Sequence, residues 1–417
     1  MAVIDLDVAP MAASSGRRRA RRRHRAAPAL VVAAALLLGG GAAPVERPWD
    51  RSAVLDGVPP GRMLLADDTL YLARPGGVVT AHHAGGGQRW SAPLGAAELY
   101  YAKAAGGLTV LAGHAAGAEA GMFVVAVEAA TGVSRWRRDG TVSLTDRAAG
   151  LVVLAEPPPP SSEAAGAPRS SYRLLELATG KEVWLWGARP AGETLVPVAG
   201  DSGDLAGLLQ RDVSGRTLLL DAATRQRRAL ADRPRVVQAF RSGDDLLVLA
   251  GDGTGAELVG YDWTTLRPRW RAGGLARPLG RCGPWFCVDG GDGTVALDPA
   301  TGQVRWRRPG MPGVLGEPLV LHVHGVPAGR LSVVEPASGR PLLDLAGWTG
   351  IGGPGAGWQV AARWGADGRN HLVAVELASR EIHPVATVAV DAESCASSGR
   401  LLACRTGPGK LTMWWLG

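Results

Sequence analysis

Lysine is nearly missing from this chain, with three residues against 42 arginines. A phosphate-cradling loop closed by lysine has almost nothing to draw on, and the glycine-rich stretch Gly347–Trp358 contains none. Cysteine is scarce too. Cys282, Cys287, Cys395 and Cys404 are never adjacent and never spaced Cys-x-x-Cys, which removes the common zinc-binding patterns. Phenylalanine and tyrosine number three and five against 14 tryptophans, so large aromatic surface is concentrated in one residue type. Excess charge is also lacking outside one short run. The seven arginines between Arg17 and Arg25 carry the net +7, while residues 26–417 hold 38 basic and 36 acidic side chains. That balance excludes a nucleic-acid-binding domain.

A single stretch breaks the general lack of long apolar runs. Residues 26–45 carry no charge, and twenty residues of helix span roughly 30 Å, the thickness of a bilayer core. The arginines precede it, so the positive-inside rule predicts a cytoplasmic tail over 1–25, a transmembrane helix over 26–45 and an extracytoplasmic domain over 46–417. A signal peptide cleaved after Gly41-Ala42-Ala43 is the competing reading, and Pro44 argues against it. No cysteine stands near the segment, which excludes a lipoprotein anchor. The arginine-for-lysine bias points to a GC-rich bacterial genome. The expected location is the cell membrane, single-pass.

Within 46–417 one short pattern recurs. "VALDPATGQVRW", Val295 to Trp306, reads as two strands around a turn at Gly302, with tryptophan four residues later. Gly86, Gly132 and Gly180 precede Trp90, Trp136 and Trp184 in the same way. Weaker copies place Arg225, Leu266, Gly339 and Arg380 at the turn, with Trp270 following Leu266. Successive turn positions lie 36 to 48 residues apart, with a mean of 42. A β-patterned repeat near forty residues is the mark of a propeller built from four-stranded blades. A blade cannot bury both faces alone. The tryptophans are therefore expected to dock against the next blade, each burying roughly 150–250 Å², worth about 4–6 kcal/mol at most.

The pattern Ala-Leu-Asp-x-x-Thr-Gly-x-x-x-Trp resembles the repeat of pyrroloquinoline-quinone-type (PQQ-like) propellers, closely at 295–306 and nearly so at 125–136 and 174–184. The resemblance runs from about 79 to 415 and implies an all-β propeller, with eight blades expected within a range of seven to nine. In architecture the chain is similar to the small propeller lipoproteins of outer-membrane β-barrel assembly (BamB-like), without their lipid anchor. Quinoprotein dehydrogenases of this superfamily have an adjacent-cysteine disulfide beside the quinone and a calcium-bound acidic cluster. No adjacent cysteines occur here, and "DGGDGT" at 289–294 and "GDGTG" at 251–255 read as hairpin turns, not calcium loops.

The remaining candidates are structural. An even cysteine count in an exported domain favours two local disulfides, Cys282–Cys287 and Cys395–Cys404. His82 and His83 stand where the repeat turn has Asp-Pro and are expected in an exposed, degenerate turn. His322 and His324 lie on an alternating strand; neither they nor His114, His371 and His383 come with a nucleophile. Gly347–Trp358 reads as a flexible inter-strand loop, and Glu156–Ser171 as a protruding proline-rich insertion in the third blade. The last run, Leu411–Leu416, lacks an outer partner strand, and Ser52-Ala53-Val54-Leu55 is expected to supply it. No catalytic, metal-binding or cofactor-binding residues are expected. The function expected is a non-catalytic, membrane-anchored scaffold for an envelope or secreted protein partner, with a PQQ-linked dehydrogenase or channel-ligand sensor as the alternative.

Overall fold

A computed structural model describes residues 52–415 except for short internal stretches, the longest being 157–170 and 187–193. The expected tail and transmembrane helix lie outside the described residues. Among the described residues, no helix is long and apolar enough to cross a membrane.

The turns explain the sequence period. The amide at the glycine position donates to the carbonyl four residues earlier, Gly132 to Glu128, Gly180 to Glu176, Gly302 to Asp298 and Gly339 to Glu335, at 2.8–2.9 Å. Arg225, Leu266 and Arg380 make the same bond, with φ of 59°, 53° and 65°. The degenerate copies thus keep the left-handed geometry without glycine, at a cost of about 1–2 kcal/mol each. The first residue of these seven turns is acidic and holds the loop. Asp298 Oδ1 accepts the Ala300 amide at 3.0 Å, and Glu128, Glu176, Glu335 and Glu376 each accept the hydroxyl three residues on.

The strands pair into seven four-stranded sheets and one of eight strands. The eight-stranded sheet is two four-stranded halves, joined in parallel at Val198–Ala239 and Ala199–Phe240. Eight four-stranded units therefore follow the chain, over 63–93, 96–139, 141–186, 194–229, 236–273, 277–308, 311–346 and 349–388. A ninth is composite, Cys395–Ser398, Leu401–Gly407 and Lys410–Trp415 with Ser52–Leu55 outermost. Ala53 stands opposite Met413 and Leu55 opposite Leu411, so the two ends of the domain meet in one sheet as expected. The tally of nine units is the upper end of the expected seven to nine, one above the eight favoured, because the composite sheet is a full unit with its own faces to bury.

Nine apolar clusters lie between consecutive units. One joins units 1 and 2 through Tyr71, Val79, Leu111 and Phe123. The series continues round to a cluster of Leu401, Leu411 and Met413 with Leu70 and Leu72, which joins unit 9 back to unit 1. The arrangement is that of a β-propeller. Gly347–Trp358 is not a flexible loop, because Thr349–Gly355 is the first strand of unit 8. Its glycines permit close approach: a Cβ at Gly350 would stand 2.1 Å from the His322 ring, and one at Gly352 2.6 Å from Ser397.

The tryptophans sit at the joints between units. A Cβ built at Gly132, Gly180, Gly302 or Gly339 would stand 2.4–2.7 Å from Trp90, Trp136, Trp270 or Trp306 of the preceding unit. Each indole N–H also donates to the carbonyl three residues before that glycine: Trp90 to Ala129, Trp136 to Leu177, Trp270 to Pro299 and Trp306 to Pro336. Glycine is needed there twice over, for its positive φ and for the ring above it. Trp184 packs between units 3 and 4, facing a unit whose turn carries Arg225. At Gly86 the place of the indole is taken by Ala53, 2.6 Å from a Cβ built there. A cavity of about 360 Å³ lined by Ser52, Ala84, Gly85 and Trp415 adjoins this joint.

Trp306→Ala is expected to destabilise the domain by about 3–5 kcal/mol; a melting temperature within a degree or two of wild type refutes its place at the joint. Arg380 is exposed, so Arg380→Gly should relieve left-handed strain and stabilise by about 1 kcal/mol, read as a shift in denaturant midpoint at unchanged slope. Deleting Met413–Gly417 removes the partners of Ser52 and Ala53 and should destabilise the whole domain; a truncated protein that melts cooperatively at the wild-type temperature overturns the role of closure.

Candidate functional site

The cysteines form the two expected local bridges, Cys282–Cys287 and Cys395–Cys404. Cys282 and Cys287 are buried among Ala296, Trp306, Leu319 and Leu321, at the joint of units 6 and 7. This bridge is part of the core. The other links the first two strands of unit 9, where Cys395 and Cys404 are cross-strand partners; Cys404 is buried in the cluster between units 8 and 9, while Cys395 reaches a cavity as well.

Beside it opens a cavity of about 440 Å³, lined by Pro60, Gly61, Arg62, Met63, Ser394, Cys395, Ala396 and Arg405. Met63 begins the first strand of unit 1 and Cys395 the first strand of unit 9. The cleft therefore lies where the ring closes, between neighbouring first strands. The disulfide fixes its geometry, since Ser394 and Arg405 directly adjoin the two bridged residues. Arg405 Nη2 donates to the Gly61 carbonyl at 2.6 Å, which ties the connection into unit 1 to unit 9. Burial pushes the Arg405 guanidinium below its ordinary pKa range, and among the described residues no carboxylate lies within ion-pair distance of it. Arg62 approaches Glu98 at 3.6 Å, with both side chains largely exposed, so that pair is weak. The cleft thus offers two guanidiniums, a hydroxyl and apolar walls. No local pattern announces it, because its residues are more than three hundred positions apart.

The other candidates resolve into structure. His82 is buried at 4% exposure, against the expectation of an exposed turn, because it lies within the strand Val78–His83 and faces Thr80 Oγ1 at 3.1 Å. Burial lowers its pKa. His83 is exposed, and its Nδ1 accepts the Gly85 amide at 3.1 Å. His322 is buried against Gly350, while His324 lies outside the described residues. In "DGGDGT" the Gly290 amide donates to the Gly293 carbonyl at 2.7 Å and Asp289 accepts the Gly291 amide, a hairpin turn. Residues 252–255 of "GDGTG" and 157–170 of the insertion lie outside the described residues. The sequence reading missed one group, Glu376, Glu381 and His383, whose donor atoms lie within 4.8 Å of one another. Glu376 there already accepts the Ser379 hydroxyl at 2.6 Å, the same turn-holding bond that Glu128 and Glu176 make.

No family model matches the chain, and no curated protein matches it. Among solved structures, a eukaryotic initiation factor aligns with a TM-score of 0.56 at 12% identity, covering 84% of this chain and 94% of its own. BamB from Moraxella catarrhalis aligns with a TM-score of 0.41 at 13% identity, over 87% of this chain and 96% of its own. Quinohemoprotein alcohol dehydrogenase from Comamonas testosteroni gives 0.35 at 13% identity, over 86% of this chain and 68% of its own. At such identities the likeness to the initiation factor is one of fold alone, and the other two superpose too loosely to carry an argument.

Proposed function

We propose that this chain is a non-catalytic, single-pass membrane protein whose extracytoplasmic PQQ-like propeller, of nine blades, binds other proteins of the cell envelope. The observation that carries the reading is where the charged groups go. The carboxylates of the repeat hold its own turns, as in Asp298 with Arg305, Asp262 with Arg269 and Glu335 with Arg340. The cleft at the closing joint, by contrast, presents guanidiniums and a hydroxyl toward open space, which is the chemistry of recognition. Two disulfides suit an oxidising compartment. The arginine run before residues 26–45 supports anchoring with the propeller outside the cytoplasm.

Absorbance spectroscopy of the purified chain titrated with pyrroloquinoline quinone and calcium tests this reading against the dehydrogenase alternative. We expect only the spectrum of free quinone at every ratio. A band that saturates at one quinone per chain overturns the non-catalytic reading.

A further inference from the structure

We infer that the cleft between the first strands of units 1 and 9 binds a carboxylate carried on an extended acidic peptide, with Arg405 and Arg62 as its counter-ions. The inference rests on the protein-binding reading and specifies the chemistry of the ligand.

Arg405 is the first argument. It is partly buried, its located bond goes to the neutral Gly61 carbonyl, and a guanidinium has five N–H donors to satisfy. Among the described residues no carboxylate pairs with it, and a partly desolvated cation gains from an incoming anion. Arg228, Arg269, Arg271, Arg281, Arg305 and Arg330 each face a carboxylate at 3.4 Å or less; Arg405 instead bonds a backbone carbonyl, as Arg74, Arg137 and Arg308 do, and differs from those three in lining the cavity. The depressed pKa of Arg405 follows from the same burial.

The second argument is the cleft's composition. Arg62 stands on the same cavity, and its exposed contact with Glu98 can be exchanged for a better-placed carboxylate. Two guanidiniums match the planar, two-oxygen geometry of a carboxylate. Ser394 can add a hydroxyl donor, and Pro60, Met63 and Ala396 supply apolar wall for an aliphatic stem. A volume of about 440 Å³ holds a side chain and adjoining backbone but is small for a folded surface.

The third argument is rigidity. The Cys395–Cys404 bridge adjoins both Ser394 and Arg405, so the donors are held before the ligand arrives and little ordering remains to be done on binding.

The test is calorimetric titration of the full chain, in mild detergent, with acetyl-(Glu)3-amide. Acetyl-(Gln)3-amide serves as the neutral control and inorganic phosphate as a second anion. The expected result is saturable binding of the glutamate peptide alone or ahead of phosphate, weakened by added salt. Arg405→Gln should weaken it by about tenfold or more, and Arg405→Lys should restore part of the loss. Melting temperatures of both variants are measured alongside, because Arg405 also bonds Gly61. If Arg405→Gln unfolds, Arg62→Gln takes its place, with a loss of about threefold or more expected. Equal binding of the glutamine peptide, tighter binding of phosphate, no saturable binding of the glutamate peptide, or unchanged affinity in the arginine variants each overturns the inference. None of these outcomes touches the quinone titration, so the cleft's ligand and the non-catalytic reading can fail separately.

Discussion

A four-stranded sheet with apolar residues on both faces cannot shield itself from water, and every other feature of this domain answers that constraint. Tyr71 and Phe123 are buried in one inter-unit cluster and Leu70 and Leu72 in another, although Leu70, Tyr71 and Leu72 are consecutive residues of one strand. Consecutive residues therefore face two different neighbours, and the sheets must continue until they meet. The same demand explains why the first and last described strands share a sheet. Without Ser52–Leu55, unit 9 would present a bare edge, and the cluster around Leu411 and Met413 would lose Ala53 and Leu55 from its wall.

Burial alone does not set how neighbouring sheets align, because apolar contact is non-directional. Alignment comes from the indole on the glycine. Trp306 buries its ring over Gly339 while its N–H reaches Pro336, and the same two contacts hold for Trp90, Trp136 and Trp270. A flat ring fixes the distance, and a hydrogen bond from its edge fixes the rotation. Arginine adds to this at two joints, where Arg138 and Arg308 donate to the carbonyls of Gly180 and Gly339. The turn must in turn be stiff enough to receive the ring, which the acidic residue at its start provides. Arg305 lowers the pKa of Asp298, and Arg340, after the Ser338 hydroxyl, that of Glu335, so these carboxylates stay charged and bonded through neutral pH.

What could be read in the sequence was whatever depends on neighbours in the chain. The turns at 132, 180 and 302 show themselves because left-handed geometry selects glycine and strand alternation resumes after it. Arg225, Leu266 and Arg380 keep the same φ with side chains that give no such signal, and they were recovered only through their spacing. The cysteine pairs were legible because each bridges a single hairpin. His82 was misplaced because it lies inside a strand whose last residue, His83, opens the turn, and local pattern does not show where the strand ends. Gly347–Trp358 was misread because its glycines answer neighbours from other units, His322 and Ser397, which only the assembled ring brings close. The ninth unit was legible only as a composite, since its third and outermost strands come from the two ends of the domain and no repeat turn joins them. The cleft was invisible for a stronger reason: Arg62 and Arg405 belong to opposite ends of the chain.

The closing joint is also where the repeat rule is relaxed. Every other joint facing a turn glycine of the repeat receives an indole, while Gly86 receives only the methyl of Ala53. Its turn is shorter, closed from Gly86 to His83 and not across four residues. Stability there comes from another source, the aliphatic cluster around Leu411 and Met413. A joint held by aliphatic packing does not need an indole over its turn. Arg405 donates to the Gly61 carbonyl across this joint, much as Arg138 and Arg308 donate to carbonyls elsewhere, and it also lines a cavity with Arg62 and Ser394. Departures from local consistency in an otherwise regular fold concentrate at functional positions. Here the departure has a physical origin, since closing a ring from two chain ends produces one joint unlike the rest, and at that joint Arg405, with no carboxylate partner among the described residues, lines a cleft beside Arg62.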